Sequence, residues 1–150
     1  MWKDKLNEII RELDAYKKKV NIGATEKETE LFLEEIINEF ELRLPDAYLE
    51  VLKFINGLEF NGFILYGIDE YLLDFKPHQT VNGFIECNKV WYENEWQKKY
   101  IFLGESSVAW YVYDLEERKY YELDNPSGSL MEEFDNPEDL LEKFMADALA

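Results

Sequence analysis

Residues 42–68 constrain the fold more than any other stretch. They carry a Leu-Pro step at Leu44-Pro45, an Asn-Gly step at Asn56-Gly57, and the apolar run Phe63-Ile64-Leu65-Tyr66-Gly67-Ile68. Pro45 suits the first position of a helix, where its fixed φ is pre-set and its missing N–H would have no partner anyway. Gly57 suits the left-handed backbone that stops a helix. Between these brackets Tyr48, Leu49, Val51, Leu52 and Ile55 recur at spacings of three and four, so one stripe of a short helix must be buried. The run Phe63 to Ile68, bounded by Gly62 and Asp69, then reads as a central strand. A buried helix leading directly into a buried strand calls for a small α+β domain.

The flanking sequence supplies the other layers. Trp2, Leu6, Ile9, Ile10, Leu13, Tyr16 and Val20 lie on one face of a helix predicted over Trp2 to Val20, which Asn21-Ile22-Gly23 ends. Thr25 and Glu28 form a capping-box pattern for a second helix, with Leu31, Phe32, Ile36, Ile37 and Phe40 on its buried face. Glu26, Glu30, Glu34 and Glu41 make its solvated face. Asn82 is placed to cap a helix through Phe84, Ile85, Cys87, Asn88, Val90 and Trp91, apolar positions that fit helix and strand alike, and the aromatics Trp91, Tyr92 and Trp96 would cover the sheet. Tyr100 to Leu103, Val108 to Tyr113 and Lys119 to Leu123 read as strands, the last two joined by a turn over Asp114 to Arg118. Asn136-Pro137-Glu138-Asp139 opens a closing helix with Leu140, Leu141, Phe144, Met145 and Leu149 inward.

The 150 residues fit one domain, and a compact fold of that length buries roughly 70% of its unfolded surface. With 47% hydrophobic residues the chain is too apolar for a disordered one. Its single cysteine, Cys87, makes no internal disulfide, which points to a reducing, cytoplasmic setting. The charged N-terminal helix lacks the apolar centre of a signal peptide, and no run approaches the roughly 20 apolar residues that span a bilayer.

Charge narrows the partners. Residues 1–44 hold 11 acidic and 8 basic side chains, a balance of −3, and residues 45–150 hold 22 and 8, a balance of −14. A field of this sign repels phosphate backbones and anionic membranes, so neither nucleic acid nor membrane is an expected partner. A basic protein would be steered in.

The ordered set Leu44-Pro45, Tyr48, Asn56-Gly57 and Leu65-Tyr66-Gly67-Ile68 resembles the signature of the SUKH superfamily. The order continues through Ile85 with Asn88, Tyr100 to Glu105, Trp110 to Asp114, Tyr120 to Asp124, and a helix from Phe134 to Leu149. The resemblance implies a single SUKH-like domain with residues 26–149 as its core and residues 1–22 as a helical extension. It implies a mostly antiparallel sheet flanked by helices, no catalytic activity and no cofactor. Bacterial members of the superfamily are largely immunity proteins that neutralise polymorphic toxins, often nucleases, and others are regulatory. The expected function is therefore neutralisation of a basic toxin domain by occluding its active site; the alternative is a regulatory or scaffold protein of the same fold binding a non-toxin partner.

The residues themselves offer little chemistry. His78 and Cys87 are the only imidazole and thiol, so a Cys/His nucleophile pair rests on them alone, with Asp74 and Glu86 as the nearby acids. Gly104-Glu105-Ser106-Ser107 lacks the second glycine of a nucleophile elbow and reads as a turn, and Gly62 to Gly67 lacks the lysine of a phosphate loop. The carboxylate pairs Glu116/Glu117, Glu132/Glu133 and Glu138/Asp139 lack the spacing of a calcium loop, and no metal site is expected. Strand alternation sends Trp110 and Val112 to one face and Tyr111 and Tyr113 to the other, so at least one face is core. A binding surface is expected where aromatics meet acid, at Tyr111, Tyr113, Asp114, Glu116, Glu117, Asp124, Glu132, Glu133 and Asp135.

Overall fold

The computed structural model describes residues 1–74 and 81–150. Within these residues five α-helices pack on one six-stranded sheet: α1 (Trp2–Ala15), α2 (Glu26–Phe40), α3 (Asp46–Phe54), α4 (Phe84–Trp91) and α5 (Pro137–Leu149). The strands are β1 (Leu58–Phe60), β2 (Phe63–Leu65), β3 (Tyr100–Glu105), β4 (Ala109–Asp114), β5 (Lys119–Asp124) and β6 (Leu130–Phe134). They lie side by side in chain order and every neighbouring pair is antiparallel, which gives the α+β meander expected.

Helix α3 and strand β2 form where the sequence predicts a helix followed by a strand, with small differences. Pro45 is the N-cap of α3 and not its first helical residue. Tyr48, Val51, Leu52 and Ile55 are buried as the stripe requires, while Leu49 is half-buried. Gly57 does take a left-handed φ of 81°, but it lies beyond Ile55, the residue that ends α3 in extended geometry. Gly57 approaches Gly67 so closely that a Cβ on Gly67 would sit 2.8 Å from the Gly57 nitrogen. Strand β2 stops at Leu65, although the chain stays extended. Tyr66 N–H donates to Leu103 carbonyl at 2.9 Å, and Gly67 forms a parallel bridge with Gly83.

Helix α1 is shorter than predicted. It ends at Ala15 because Lys17 turns left-handed at φ 55°. The Lys18 and Lys17 amides then close back onto the Leu13 and Asp14 carbonyls at 2.9 and 3.0 Å, a Schellman stop. A lysine stands where glycine is usual, and Tyr16 beyond the stop is exposed. Helix α2 starts in the predicted capping box, Thr25 accepting from Glu28 N–H and Glu28 from Thr25 N–H. Its buried face is narrower than the pattern implied: Phe32 and Ile36 are buried, Phe40 is half-buried, and Leu31 and Ile37 face solvent.

Two helices cover opposite sheet faces. On one, the Trp91 ring of α4 lies 5.5 Å from Phe102 and 5.4 Å from Trp110, as the cover role requires. Asn88 pins α4 there, donating to Phe102 carbonyl at 2.9 Å and accepting from Phe102 N–H at 2.8 Å. On the other face Phe144 of α5 packs edge-to-face on Tyr111 at 5.0 Å. Helix α4 has Gly83 and not Asn82 at its N-cap, and the side-chain cap comes from Asp69. Helix α5 opens at Asn136, whose side chain accepts from Asp139 N–H at 2.9 Å, with Pro137 in its first turn. Phe134, which the resemblance placed in that helix, belongs to β6. Likewise Gly104 and Glu105 complete β3, and the turn begins only at Ser106.

Candidate functional site

Of the aromatic and acidic residues that the sequence proposes as a surface, two are buried. Tyr111 lies beneath α5 with 1% of its surface exposed, its hydroxyl donating to Asp147 at 2.8 Å. Burial, then Asp147, pushes the Tyr111 hydroxyl well above the usual tyrosine range. Asp114 is 3% exposed and builds the β4–β5 turn, its carboxylate accepting from Glu116 and Glu117 N–H at 2.9 and 3.0 Å. Tyr113 is half-buried against Tyr120, ring centroids 4.7 Å apart.

The remaining acids form an open rim. Glu116 and Glu117 sit exposed at the tip of the β4–β5 turn. Glu133 pairs in register with Tyr121, Glu132 with Glu122, and Phe134 with Tyr120, so Glu133 and Asp135 come to the same end of the sheet as that turn. Lys119 reaches Glu133 at 3.2 Å, and that contact leads the causes that raise the lysine pKa. Asp124 is at the far end of β5, about 17 Å away by strand rise, where it accepts from the Ser127 hydroxyl at 2.6 Å.

Beside this rim lie apolar side chains that the sequence reading did not single out as a surface. Leu130 and Met131 of β6 are 57% and 53% exposed. Leu130 is paired with Leu123, and Leu123 with Trp110, so the three share a sheet face. Trp96, 47% exposed, lies 5.9 Å from Trp110 and rests on Gly128, where a Cβ would come within 2.7 Å of its ring. The acid at Glu132-Glu133 thus borders an apolar patch on the outermost strand. An exposed Leu-Met pair preceding two glutamates was the available signal, obscured because β6 lacks clean apolar alternation.

The nucleophile candidate fares differently. Burial, then the carboxylates of Glu105, Asp69 and Glu86, push the Cys87 thiol up to about 12, so thiolate is scarce at neutral pH. His78 lies outside the described residues. Asp74 serves through its backbone, its N–H donating to Glu28 at 2.9 Å. Among the described residues no cluster of three or more His, Cys, Asp or Glu side chains is arranged to hold a metal ion, and no helix is long and apolar enough to cross a membrane. A groove of about 840 Å³ lies away from the acidic rim, between the end of α1 and the β1–β2 hairpin.

The family model described as SMI1 / KNR4 family (SUKH-1) matches residues 27–144. The chain belongs to this family. No curated protein matches the chain. The SUKH-1 match begins after α1, yet α1 is packed into this SUKH-1 fold: Trp2, Leu6, Ile9 and Leu13 are buried, and Lys5 holds Glu142 of α5 at 2.6 Å.

Proposed function

We propose that this SUKH-1 protein is a non-catalytic immunity protein that binds a basic toxin domain and occludes its active site. The observation that carries the reading is the acid pair Glu132 and Glu133 next to the exposed Leu130 and Met131 on β6, with Glu116, Glu117 and Asp135 exposed at the turn end of the same sheet and Trp96 exposed at its other end. Apolar anchors ringed by charge of one sign are the make-up of a protein-binding surface: the anchors supply affinity, and the charge raises the association rate and selects the sign of the partner. A nuclease cleft is basic because its substrate is anionic, and an acidic protein competes for the same field. Tyr111 and Asp114 support the surface from beneath and do not contact the partner.

Co-expression of the reading frame next to its gene, with and without this protein, tests the proposal. Growth arrest by that frame alone, relieved by this protein, is the expected result. A harmless frame, or equal harm with this protein present, overturns it in favour of a regulatory or scaffold protein of the same fold.

A further inference from the structure

Strand β6 is an edge. Among the described residues no strand lies beyond it in the sheet order, so the N–H and C=O groups on its outer side have no strand partner there. Of its five residues Leu130, Met131, Glu132 and Glu133 are exposed, and Phe134 is half-buried. Protected edges are short, carry proline, or are covered. The opposite edge, β1, is three residues long with Leu58 and Phe60 buried. Strand β6 instead is nearly as long as β5, has no internal proline and presents adjacent exposed Leu and Met.

Its two defensive features, an irregular register opposite Glu122-Leu123 and the acids Glu132 and Glu133, are selective. Pairing of β6 with a second copy of itself would bring acid against acid, and like charges across strands destabilise. A strand bearing lysine or arginine meets the reverse situation. Of the two, among the described residues, Glu133 alone has a cation of its own, Lys119 at 3.2 Å with both side chains more than two-fifths exposed, a pair that an incoming cation displaces at little cost.

We propose that β6 accepts one further strand from a basic partner: an extended segment with cationic side chains opposite Glu132 and Glu133 and an apolar side chain against Leu130 or Met131. Main-chain hydrogen bonds would supply affinity and the acids the choice of partner. The inference rests on the protein-binding reading above and names its mode of contact.

The test uses the full chain and three synthetic octapeptides: a Lys-Val peptide of repeating Lys-Lys-Val-Val, whose neighbouring lysines reach both sheet faces as Glu132 and Glu133 do, a Glu-Val peptide of repeating Glu-Glu-Val-Val, and the Lys-Val peptide with proline at its centre. Amide hydrogen exchange is read residue by residue. The Lys-Val peptide, at ten times its Kd, is expected to slow the outward-facing β6 amides about tenfold, while the other two leave them unchanged. The double variant Glu132→Lys/Glu133→Lys should exchange the preference and take the Glu-Val peptide. Binding of the Lys-Val peptide without slowed β6 exchange, equal slowing by the Glu-Val or proline-containing peptide, or no binding at millimolar concentration each overturns the proposal. The exchange measurement on the unaltered chain decides it even if the variant fails to fold. Failure of toxin protection with intact β6 pairing would remove the immunity reading alone.

Discussion

The Asp69 carboxylate fills the space that a side chain on Gly83 would need. From there Asp69 accepts hydrogen bonds from Ile85 and Glu86 N–H at 2.9 and 3.0 Å, capping α4 from 16 residues upstream. The arrangement predicts that Asp69→Ala and Gly83→Ala fail for the same reason. The first removes the acceptor, and the second drives it out, because a Cβ at position 83 collides with Asp69 Oδ2. Each should cost about 2 kcal/mol, the penalty of orphaning buried helix N–H groups, read from urea unfolding midpoints. A double variant costing no more than either single one would confirm the shared cause.

This cap also shows where the sequence stops being legible. The capping box at Thr25 and the N-cap at Asn136 are local, so residue type at fixed spacing reveals them. The α4 cap is a tertiary contact, and Asn82 had the right chemistry one position too early. The same division holds elsewhere. Tyr48, Val51, Leu52 and Ile55 were readable because burial and helical period coincide. The stop after Ala15 was not, because Lys17 occupies a left-handed position that favours glycine. Strand β1 is too short for a period, and β6 mixes exposed apolar and acidic residues, so neither announces itself.

Cys87 should be chemically quiet. Burial and the neighbouring carboxylates raise its thiol to about 12 from an ordinary 9.0, so at pH 8 the folded protein holds about a thousandfold less thiolate than the unfolded chain. Alkylation by iodoacetamide should be slower by two to three orders of magnitude in buffer than in denaturant, roughly in step with the thiolate lost. Equal rates in the two conditions would disprove the assignment.

The candidate surface was half legible for a related reason. Acid clusters are visible in any sequence, and Glu116, Glu117, Glu132, Glu133 and Asp135 prove exposed. Strand alternation assigns faces without saying which are covered. Both faces of β4 are covered, by α4 and by α5, so Tyr111 is core while Trp96, outside every strand, is half exposed.

Lys5 and Glu142 fasten α1 to α5, and their titration gives the link a pH signature. Glu142 is lowered from 4.5 chiefly by the hydrogen bond from Lys5, and Lys5 is raised from 10.5 chiefly by the same bond. A depressed carboxyl contributes stability that is present above its unfolded value of 4.5 and is lost as pH falls through its lower folded value. A raised lysine contributes below 10.5 and loses it as pH climbs through the folded value. Lys5→Met should therefore lower Tm near neutrality by a small margin, since both side chains are about a third exposed, and should shrink the acid-side loss of Tm. An unchanged acid limb would show that the pair carries no linkage.

Lys143 is the most consequential ion on the α5 side. Its ammonium lies 2.7 Å from Asp147 and 3.1 Å from Glu122 of β5, whose side chain is only 6% exposed. Asp147 has a second donor in Tyr111. Removing the lysine therefore leaves Glu122 as the group in difficulty: a carboxylate shielded from water with its cation gone. Lys143→Met should cost about 2 to 3 kcal/mol, the low end for breaking a buried pair because the lysine itself remains partly solvated. Glu122→Gln in the same background removes the stranded charge and should restore more than half of that loss. Tyr111→Phe, which deletes one donor to an Asp147 still paired with Lys143, should cost about 1 kcal/mol. If Lys143→Met and Lys143→Met/Glu122→Gln unfold at the same urea concentration, the buried charge is not what the lysine compensates.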